Sequence, residues 1–171
     1  MNYIAQLSVC TSRTLLAAAV SLVAGAAMAD TLKEKVVGTW SAVSQYVDQN
    51  GNKLEPFGPD PKGMVIYDST GHFMLVLQRS TLPKFQSNNR LAGTPDENKA
   101  VVQGSIAYFG TYVIDEAQQA IKLHYDGSTY PNWDGDNQTR LIEVSGDELT
   151  LISPVSAVGG GSVHLVLRRM R

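Results

Sequence analysis

From residue 37 to the C-terminus, the sequence consists mainly of short segments in which apolar and polar residues alternate. An alternation with a period of two is typical of a β-strand that buries one face. Turn sequences separate the segments, as at Asn50-Gly51 and at Asp68-Ser69-Thr70-Gly71. An Asn-Gly pair between two such segments is a strong signal for a tight antiparallel hairpin. The pattern therefore predicts an all-β domain built from antiparallel strands.

Eight strands are predicted, over residues 37–47, 63–67, 72–79, 105–114, 120–126, 138–144, 148–153 and 162–168. Eight antiparallel strands are enough to close a small barrel that holds side chains or one small ligand. The prolines of residues 56–61 cannot donate to a ladder, so this segment is predicted to be a loop. The predicted fold is an eight-stranded antiparallel barrel.

One short helix is predicted between the third and fourth of these strands. Thr94-Pro95-Asp96-Glu97 has the pattern of a capping box with proline at the first helical position. The helix is expected to run from about Pro95 to Gln103 and to stop at Gly104. Placed there, it would cover one mouth of the barrel as a lid or a plug.

The first 29 residues have the pattern of a signal peptide. Arg13 is followed by an apolar run over residues 15–24 and by the small-residue cleavage motif Ala27-Met28-Ala29. A membrane anchor is the alternative, but the apolar run is short and interrupted. We therefore predict cleavage before Asp30, a barrel domain over residues 30–171 and a periplasmic or secreted location.

Charge and cysteine content narrow the range of partners. Cys10 is the only cysteine and lies in the signal segment, which leaves the mature chain without a disulfide or a thiol nucleophile. Without Arg13, 13 basic and 16 acidic residues give a net charge of −3, which argues against nucleic acid as a partner. Neither a metal site nor a cofactor is predicted, because the three histidines lack the spacing of metal ligands. No membrane span is predicted after cleavage, and the oligomeric state is left open.

Several short motifs together resemble the bacterial and fungal lipocalin-like domain family. They are Gly38-Thr39-Trp40, the glycines and prolines of residues 56–63 with Tyr67, residues 90–97, Ala107-Tyr108-x-Gly110-x-Tyr112, Pro131-Asn132-Trp133-x-Gly135-x-x-Gln138-x-Arg140, and His164. The resemblance covers nearly all of the mature chain. It implies a small barrel with an internal pocket and with Trp40 as a structural plug at the closed end, but no single activity.

Three tyrosines are candidate ligand contacts. Tyr108 and Tyr112 share a strand face with Gly110, and a glycine between two aromatic residues leaves room for a ligand or for another backbone. Tyr67 is assigned to the same ligand-binding set. The alternative is that these residues form an aromatic layer of the core, in which each hydroxyl would still need a polar partner.

Two histidines are candidates for a pocket, although the alternation and the resemblance disagree about them. Plain alternation places His124 and His164 outside the barrel, while the resemblance places both inside. We expect the inward orientation, in which a histidine could orient a ligand carbonyl or act as a general base. A histidine satisfied by a single hydrogen bond is the alternative.

Arg140 is the candidate for binding an anionic or carbonyl group, because the planar guanidinium suits a carboxylate or an enolate. A structural ion pair with Asp126, Asp134 or Asp136 is equally compatible with the sequence. Arg79 could serve in a similar way at the end of its strand.

Three functions fit these residues. The first is an exported binding protein for a small hydrophobic or amphipathic molecule with one polar end. The second is an isomerase, cyclase or dehydratase that uses a pocket histidine as the base, with Arg140 and a tyrosine holding negative charge. The third is a plugged barrel that binds a protein through its rim loops. The size and polar lining of the cavity discriminate among them.

Overall fold

The structure, a computed structural model, describes residues 30–171, so the predicted signal peptide lies outside the described residues. The strands are β1 (Gly38–Gln49), β2 (Asn52–Leu54), β3 (Lys62–Tyr67), β4 (His72–Gln78), β5 (Ser105–Asp115), β6 (Ala120–Ser128), β7 (Asn137–Ser145), β8 (Glu148–Ser153) and β9 (Ser162–Arg169). The helices are α1 (Leu32–Val36), α2 (Pro95–Gly104) and one 3₁₀ turn (Pro131–Trp133).

Eight of these strands close into an antiparallel barrel, as the sequence predicts. β1 pairs with β3, each later strand pairs with its successor, and β9 returns to pair with β1. Strand β2 was not predicted: it pairs only with the end of β1, after a turn in which Asn50 and Gly51 both have positive φ. The Asn-Gly signal thus marks a real hairpin whose second strand is only three residues long.

The barrel interior holds one apolar core. Trp40 is fully buried, and its indole Nε1 donates to the carbonyl oxygen of Val36 at 2.8 Å. The guanidinium of Arg169 covers the ring and donates to the carbonyl oxygen of Val37 at 3.0 Å. This end of the barrel is therefore closed by the tryptophan that the resemblance places there.

Helix α1 also packs against the closed end and was not predicted. Thr31 and Glu34 form a capping box, the same signal that marks α2, and Leu32 and Val36 are buried in the core. The carboxylate of Glu116 accepts from the backbone amides of Leu32 and Lys33 at 3.0 and 3.1 Å. None of the helices between residues 30 and 171 has the length and hydropathy of a membrane-spanning segment.

Helix α2 begins and ends within one residue of its predicted limits. The hydroxyl of Thr94 accepts from the amide of Glu97, and the Glu97 carboxylate accepts from the amides of Thr94 and Gln86, both at 2.8 Å. The carboxylate thus ties the helix to the preceding loop. Val102 and Gln103, in the last turn of α2, contribute to the wall of a cavity in the barrel.

Candidate ligand-binding site

A cavity of about 470 Å³ lies inside the barrel, away from Trp40. Strands β1, β4, β5, β7, β8 and β9 contribute to its wall, together with α2 and the loops that contain Phe57, Trp133 and Val155–Val158. The apolar part of the wall includes Leu75, Leu77, Ile106, Val163 and Leu165. The barrel is therefore not plugged by its own side chains.

Arg140 is the charged residue at the centre of the site. It shares the inner face of β7 with Ile142, and its side chain is only 7% exposed. Nη1 donates to the hydroxyl of Tyr108 at 3.0 Å, and Nη2 donates to the hydroxyl of Tyr125 at 2.8 Å. The alternative of an ion pair with Asp126, Asp134 or Asp136 is not realised, because tyrosine hydroxyls take these donors.

Aromatic rings surround this guanidinium. The Tyr125 hydroxyl accepts from Arg140 and donates to Oε1 of Gln138 at 2.9 Å, which fixes both partners. The ring of Trp133 stacks on Tyr125, with centroids 5.4 Å apart, and meets Tyr108 edge-on at the same distance. The site therefore presents a cation framed by aromatic faces and edges.

The ionisation of this cluster follows from burial. Burial raises the pKa of Tyr67 and of Tyr125, against the opposing effect of the nearby Arg140 charge. Burial alone would lower the pKa of Arg140, but Tyr108, Tyr125 and Tyr67 raise it and the net direction is upward. At neutral pH the site therefore holds one positive charge, and Tyr67 and Tyr125 are protonated.

Two buried polar atoms of the cavity wall have no hydrogen-bond partner. One is Nε of Arg140, and the other is Oε1 of Gln45, whose side chain is 8% exposed. Buried polar groups are nearly always paired, and an unsatisfied one costs about 1–3 kcal/mol. One donor and one acceptor on residues of the cavity wall are thus left without a partner among the described residues.

The structure places the predicted site residues in different parts of the barrel. Tyr108 and Arg140 line the cavity. Tyr67 and Tyr112 point inward but belong to the packed core, where their rings meet at 5.1 Å and the Tyr112 hydroxyl donates to the carbonyl oxygen of Asp68. These two therefore match the alternative of an aromatic core layer. Arg79 lies at the cavity rim, with Nε donating to the carbonyl oxygen of Pro56 at 2.7 Å.

His124 lies on the outer wall, so the expectation that it faces the pocket is wrong. Its neighbours Leu123 and Tyr125 are buried, while its own side chain is 45% exposed. The imidazole lies 3.1 Å from Oδ1 of Asn137 and 3.7 Å from Oδ1 of Asp126. Two buried apolar neighbours fix the register of this strand, and plain alternation therefore predicts it correctly.

His164 also lies on the outer wall, and the corresponding expectation is wrong. Val163, Leu165 and Leu167 form the inward face of β9. The imidazole stacks on the ring of Tyr46, with centroids 4.7 Å apart, and its Nε2 lies 3.1 Å from the hydroxyl of Ser162. Neither histidine can act as a base inside the cavity.

Four residues of the site were not predicted: Gln45, Tyr125, Trp133 and Gln138. Trp133 and Gln138 belong to a motif that the resemblance includes, and Tyr125 alternates with Leu123, so each left a signal in the sequence. No sequence pattern indicates that Gln45 faces inward, because a bulge between Ala42 and Ser44 shifts β1 by one residue. The bulge exchanges the two faces of the strand and turns Gln45 inward.

Comparison with protein families agrees with this architecture. Residues 37–168 match the model of the lipocalin-like domain. The chain belongs to the lipocalin-like domain family. Within this lipocalin-like protein the match runs from the start of β1 to Arg168, the penultimate residue of β9.

Individual relatives of this lipocalin-like protein are distant. The 4'-hydroxy-3'-methoxypropiophenone carrier protein ppsC of Aspergillus oryzae is 25% identical over 91 residues, which make up 48% of this chain and 82% of that protein. A lipocalin-like protein from Bacteroides uniformis, known from a crystal structure, is 15% identical with a TM-score of 0.45. The alignment covers 80% of this chain and 99% of that one.

The chemistry available in the cavity is recognition by charge and hydrogen bonding. The Arg140 guanidinium and the Tyr108 hydroxyl can hold an oxygen atom, and the apolar wall can cover a hydrocarbon body. Within residues 30–171, no three His, Cys, Asp or Glu side chains are grouped as metal ligands.

Proposed function

We propose that this protein is an exported carrier for a small, mainly apolar molecule with one polar end. The observation that carries the proposal is the cavity of about 470 Å³, whose wall is mainly apolar and includes the buried polar side chains of Arg140 and Gln45. A concave apolar site with a few placed polar groups is the usual form of a small-molecule site. The carrier named among the relatives supports the same class of function.

The cavity favours a carrier over the two other hypotheses. The proton-transfer enzyme needed His124 or His164 as its base, and both imidazoles lie on the outer wall. Tyr125 has its pKa raised by burial, so it stays protonated at neutral pH and is a poor substitute for that base. A plugged interaction module would have a filled interior, whereas this barrel encloses a cavity.

Binding of a neutral apolar compound tests the carrier. We suggest equilibrium dialysis with N-phenyl-1-naphthylamine, an uncharged molecule with an apolar body. Leu77→Trp should abolish binding, because Leu77 is 3% exposed and lines the cavity. Val76→Trp is the matched control, since Val76 is the next residue of β4 and is 41% exposed on the outer wall. No binding to the unaltered protein, or equal loss in both variants, would contradict the proposal.

Export is the second part of the proposal. The supporting observation is Ala27-Met28-Ala29 after the apolar run of residues 15–24, which has the form of a signal-peptidase site. A carrier outside the cytoplasm would hold its ligand during passage through water.

A further inference from the structure

Arg140 is a buried cation that no carboxylate of residues 30–171 neutralises. The four ion pairs found among these residues involve other side chains. The groups that contact its Nη atoms are the hydroxyls of Tyr108 and Tyr125, and the Tyr125 hydroxyl is neutral at neutral pH. An unpaired buried charge is unfavourable, because burial removes its hydration without supplying a counter-charge. The barrel thus maintains a positive site that an anion would stabilise.

Several hydrogen-bonding groups on Arg140 and Gln45 in the cavity wall have no partner within residues 30–171 of the protein. A guanidinium has five N–H groups, and two of those on Arg140 are taken by tyrosine hydroxyls. Its Nε is one of the two unsatisfied buried atoms, and Oε1 of Gln45 is the other. Both side chains are more than nine-tenths buried, and both line the cavity. An acidic oxygen can accept from Arg140, and a ligand hydroxyl can donate to Gln45.

The surroundings of the charge favour a planar ligand. The guanidinium carbon of Arg140 lies 5.5 Å from the ring centroid of Tyr108, and Trp133 packs on both Tyr108 and Tyr125. Aromatic rings pack well against other rings, face to face with an offset or edge to face. The Tyr108 hydroxyl accepts from Arg140 and keeps its own proton available for the ligand.

Building on the proposed carrier function, we propose that the ligand is a small aromatic acid, bound as its anion, with the ionised oxygen paired to Arg140. The aromatic body lies along the apolar wall near Trp133. The ligand is thereby selected for its charge as well as for its shape.

A matched pair of ligands tests this selectivity without any mutation. The two ligands are 2-naphthoate and 2-naphthamide. They have nearly the same shape, but at pH 7 naphthoate is an anion and naphthamide is neutral. We expect the unaltered protein to bind naphthoate about tenfold or more tightly than naphthamide, as measured by isothermal titration calorimetry, because hydrogen bonds to charged groups contribute most. Equal affinity for the two compounds overturns the inference.

Three arginine variants identify the residue that is responsible for the preference for naphthoate over naphthamide. Arg140→Met should bring the affinities for naphthoate and naphthamide within about twofold of each other, since it removes the cation. Arg168→Met is the control with the same change of charge, because Arg168 is exposed on β9, and it should keep the selectivity. If Arg79→Met removes the selectivity and Arg140→Met does not, the anion binds at the cavity rim and the inference is overturned.

The neutral compound separates this inference from the proposed function. Binding of N-phenyl-1-naphthylamine together with equal affinity for naphthoate and naphthamide leaves the carrier intact and rejects the aromatic acid. Failure to bind any of the three compounds rejects the carrier itself and the aromatic acid with it.

Discussion

The guanidinium carbon of Arg169 lies 4.1 Å from the centroid of the Trp40 ring. The two residues lie near opposite ends of the described residues 30–171 and meet because β1 and β9 pair, with Trp40 directly opposite Arg169. A cation over an indole face is stabilising, and here the same arginine also holds the carbonyl oxygens of Lys35 and Val37. One contact therefore fastens the first strand, the last strand and helix α1 together.

Truncation of Trp40 should destabilise the barrel strongly. The side chain is fully buried, and Trp40→Ala is expected to lower the free energy of unfolding by about 3–5 kcal/mol, because it leaves a large cavity. Urea denaturation followed by circular dichroism measures the change. Trp133→Ala serves as the comparison and should cost less, since Trp133 is only partly buried. A loss below about 1 kcal/mol for Trp40→Ala would show that the closed end does not depend on the indole.

Gly38 should not tolerate a side chain. Its φ is +140°, and an added Cβ would lie 2.7 Å from Nη1 of Arg169. Gly38→Ala is therefore expected to cost roughly 1–3 kcal/mol of backbone strain, and the Arg169 guanidinium must shift to make room for the Cβ. Gly146→Ala is the control, since its φ is +58° and a Cβ there would meet no atom within 4 Å. Equal losses of thermal stability in the two variants would contradict the proposed crowding at Arg169.

The Tyr125 hydroxyl should matter for stability although it lies beside the cavity. Tyr125→Phe removes an acceptor from the buried Arg140 and a donor from the partly buried Gln138, which leaves both groups without this partner. Each buried group left unpaired lowers the free energy of unfolding by about 1–3 kcal/mol, and the sum for two groups is the upper limit of the expected loss. Tyr130→Phe, at the exposed rim, is the control and should be neutral in the same chemical denaturation. A neutral Tyr125→Phe would mean that water satisfies both groups.

Glu97 should make stability depend on pH in the acidic range. Hydrogen bonds from the amides of Gln86 and Thr94 lower the pKa of this carboxyl below its usual 4.5. A lowered folded-state pKa contributes stability above the unfolded value, and this contribution is lost as pH falls through the folded value. Glu97→Gln should therefore destabilise at pH 7 and have little effect at a pH well below 4.5.

Thermal denaturation over a series of pH values measures this dependence. Glu143→Gln is a suitable control, because Glu143 is exposed on the outer face of β7 and holds no backbone amide in the described structure. If the destabilisation by Glu97→Gln is the same at both ends of the pH range, the carboxylate charge is not what ties α2 to its loop.

The proposed export requires removal of the signal peptide, which gives the protein a defined N-terminus. Protein purified from its native host should begin at Asp30, because the small-residue motif Ala27-Met28-Ala29 precedes it. Intact-mass spectrometry of the purified protein gives this directly, and Ala29→Arg should block the cleavage. A cytoplasmic species that retains Met1 would contradict the export proposal.

Much of the barrel can be predicted from the sequence because the strands bury one face. The predicted and observed limits differ by at most two residues for every barrel strand, and agree for β8 (Glu148–Ser153). Arg140 lies inward, as the resemblance implies, and it alternates with the buried Ile142 on the inner face of β7. Helix α2 is found because its capping box involves only neighbouring residues. These signals are local, and the fold does not override them.

The other parts of the site depend on β-bulges and close backbone contacts, which no local sequence pattern predicts. The bulge between Ala42 and Ser44 turns Gln45 inward, and a bulge on β6 opposite Phe109 and Gly110 shifts the register there as well. Gly110 is needed because a Cβ at this position would overlap the carbonyl oxygen of His124, so the space beside it is filled by backbone. The inward positions that the resemblance implies for His124 and His164 do not hold, because buried residues next to each histidine fix the register of its strand.

The placement of the two tryptophans at opposite ends of the barrel has a practical consequence. Trp40 is sealed in the core, whereas Trp133 stands beside the cavity and touches Tyr108 and Tyr125. The emission of each indole therefore reports a different event: that of Trp40 follows unfolding, and that of Trp133 follows the arrival of a ligand. A pair of single-tryptophan proteins, Trp40→Phe and Trp133→Phe, would let occupancy and folding be observed optically without any attached dye.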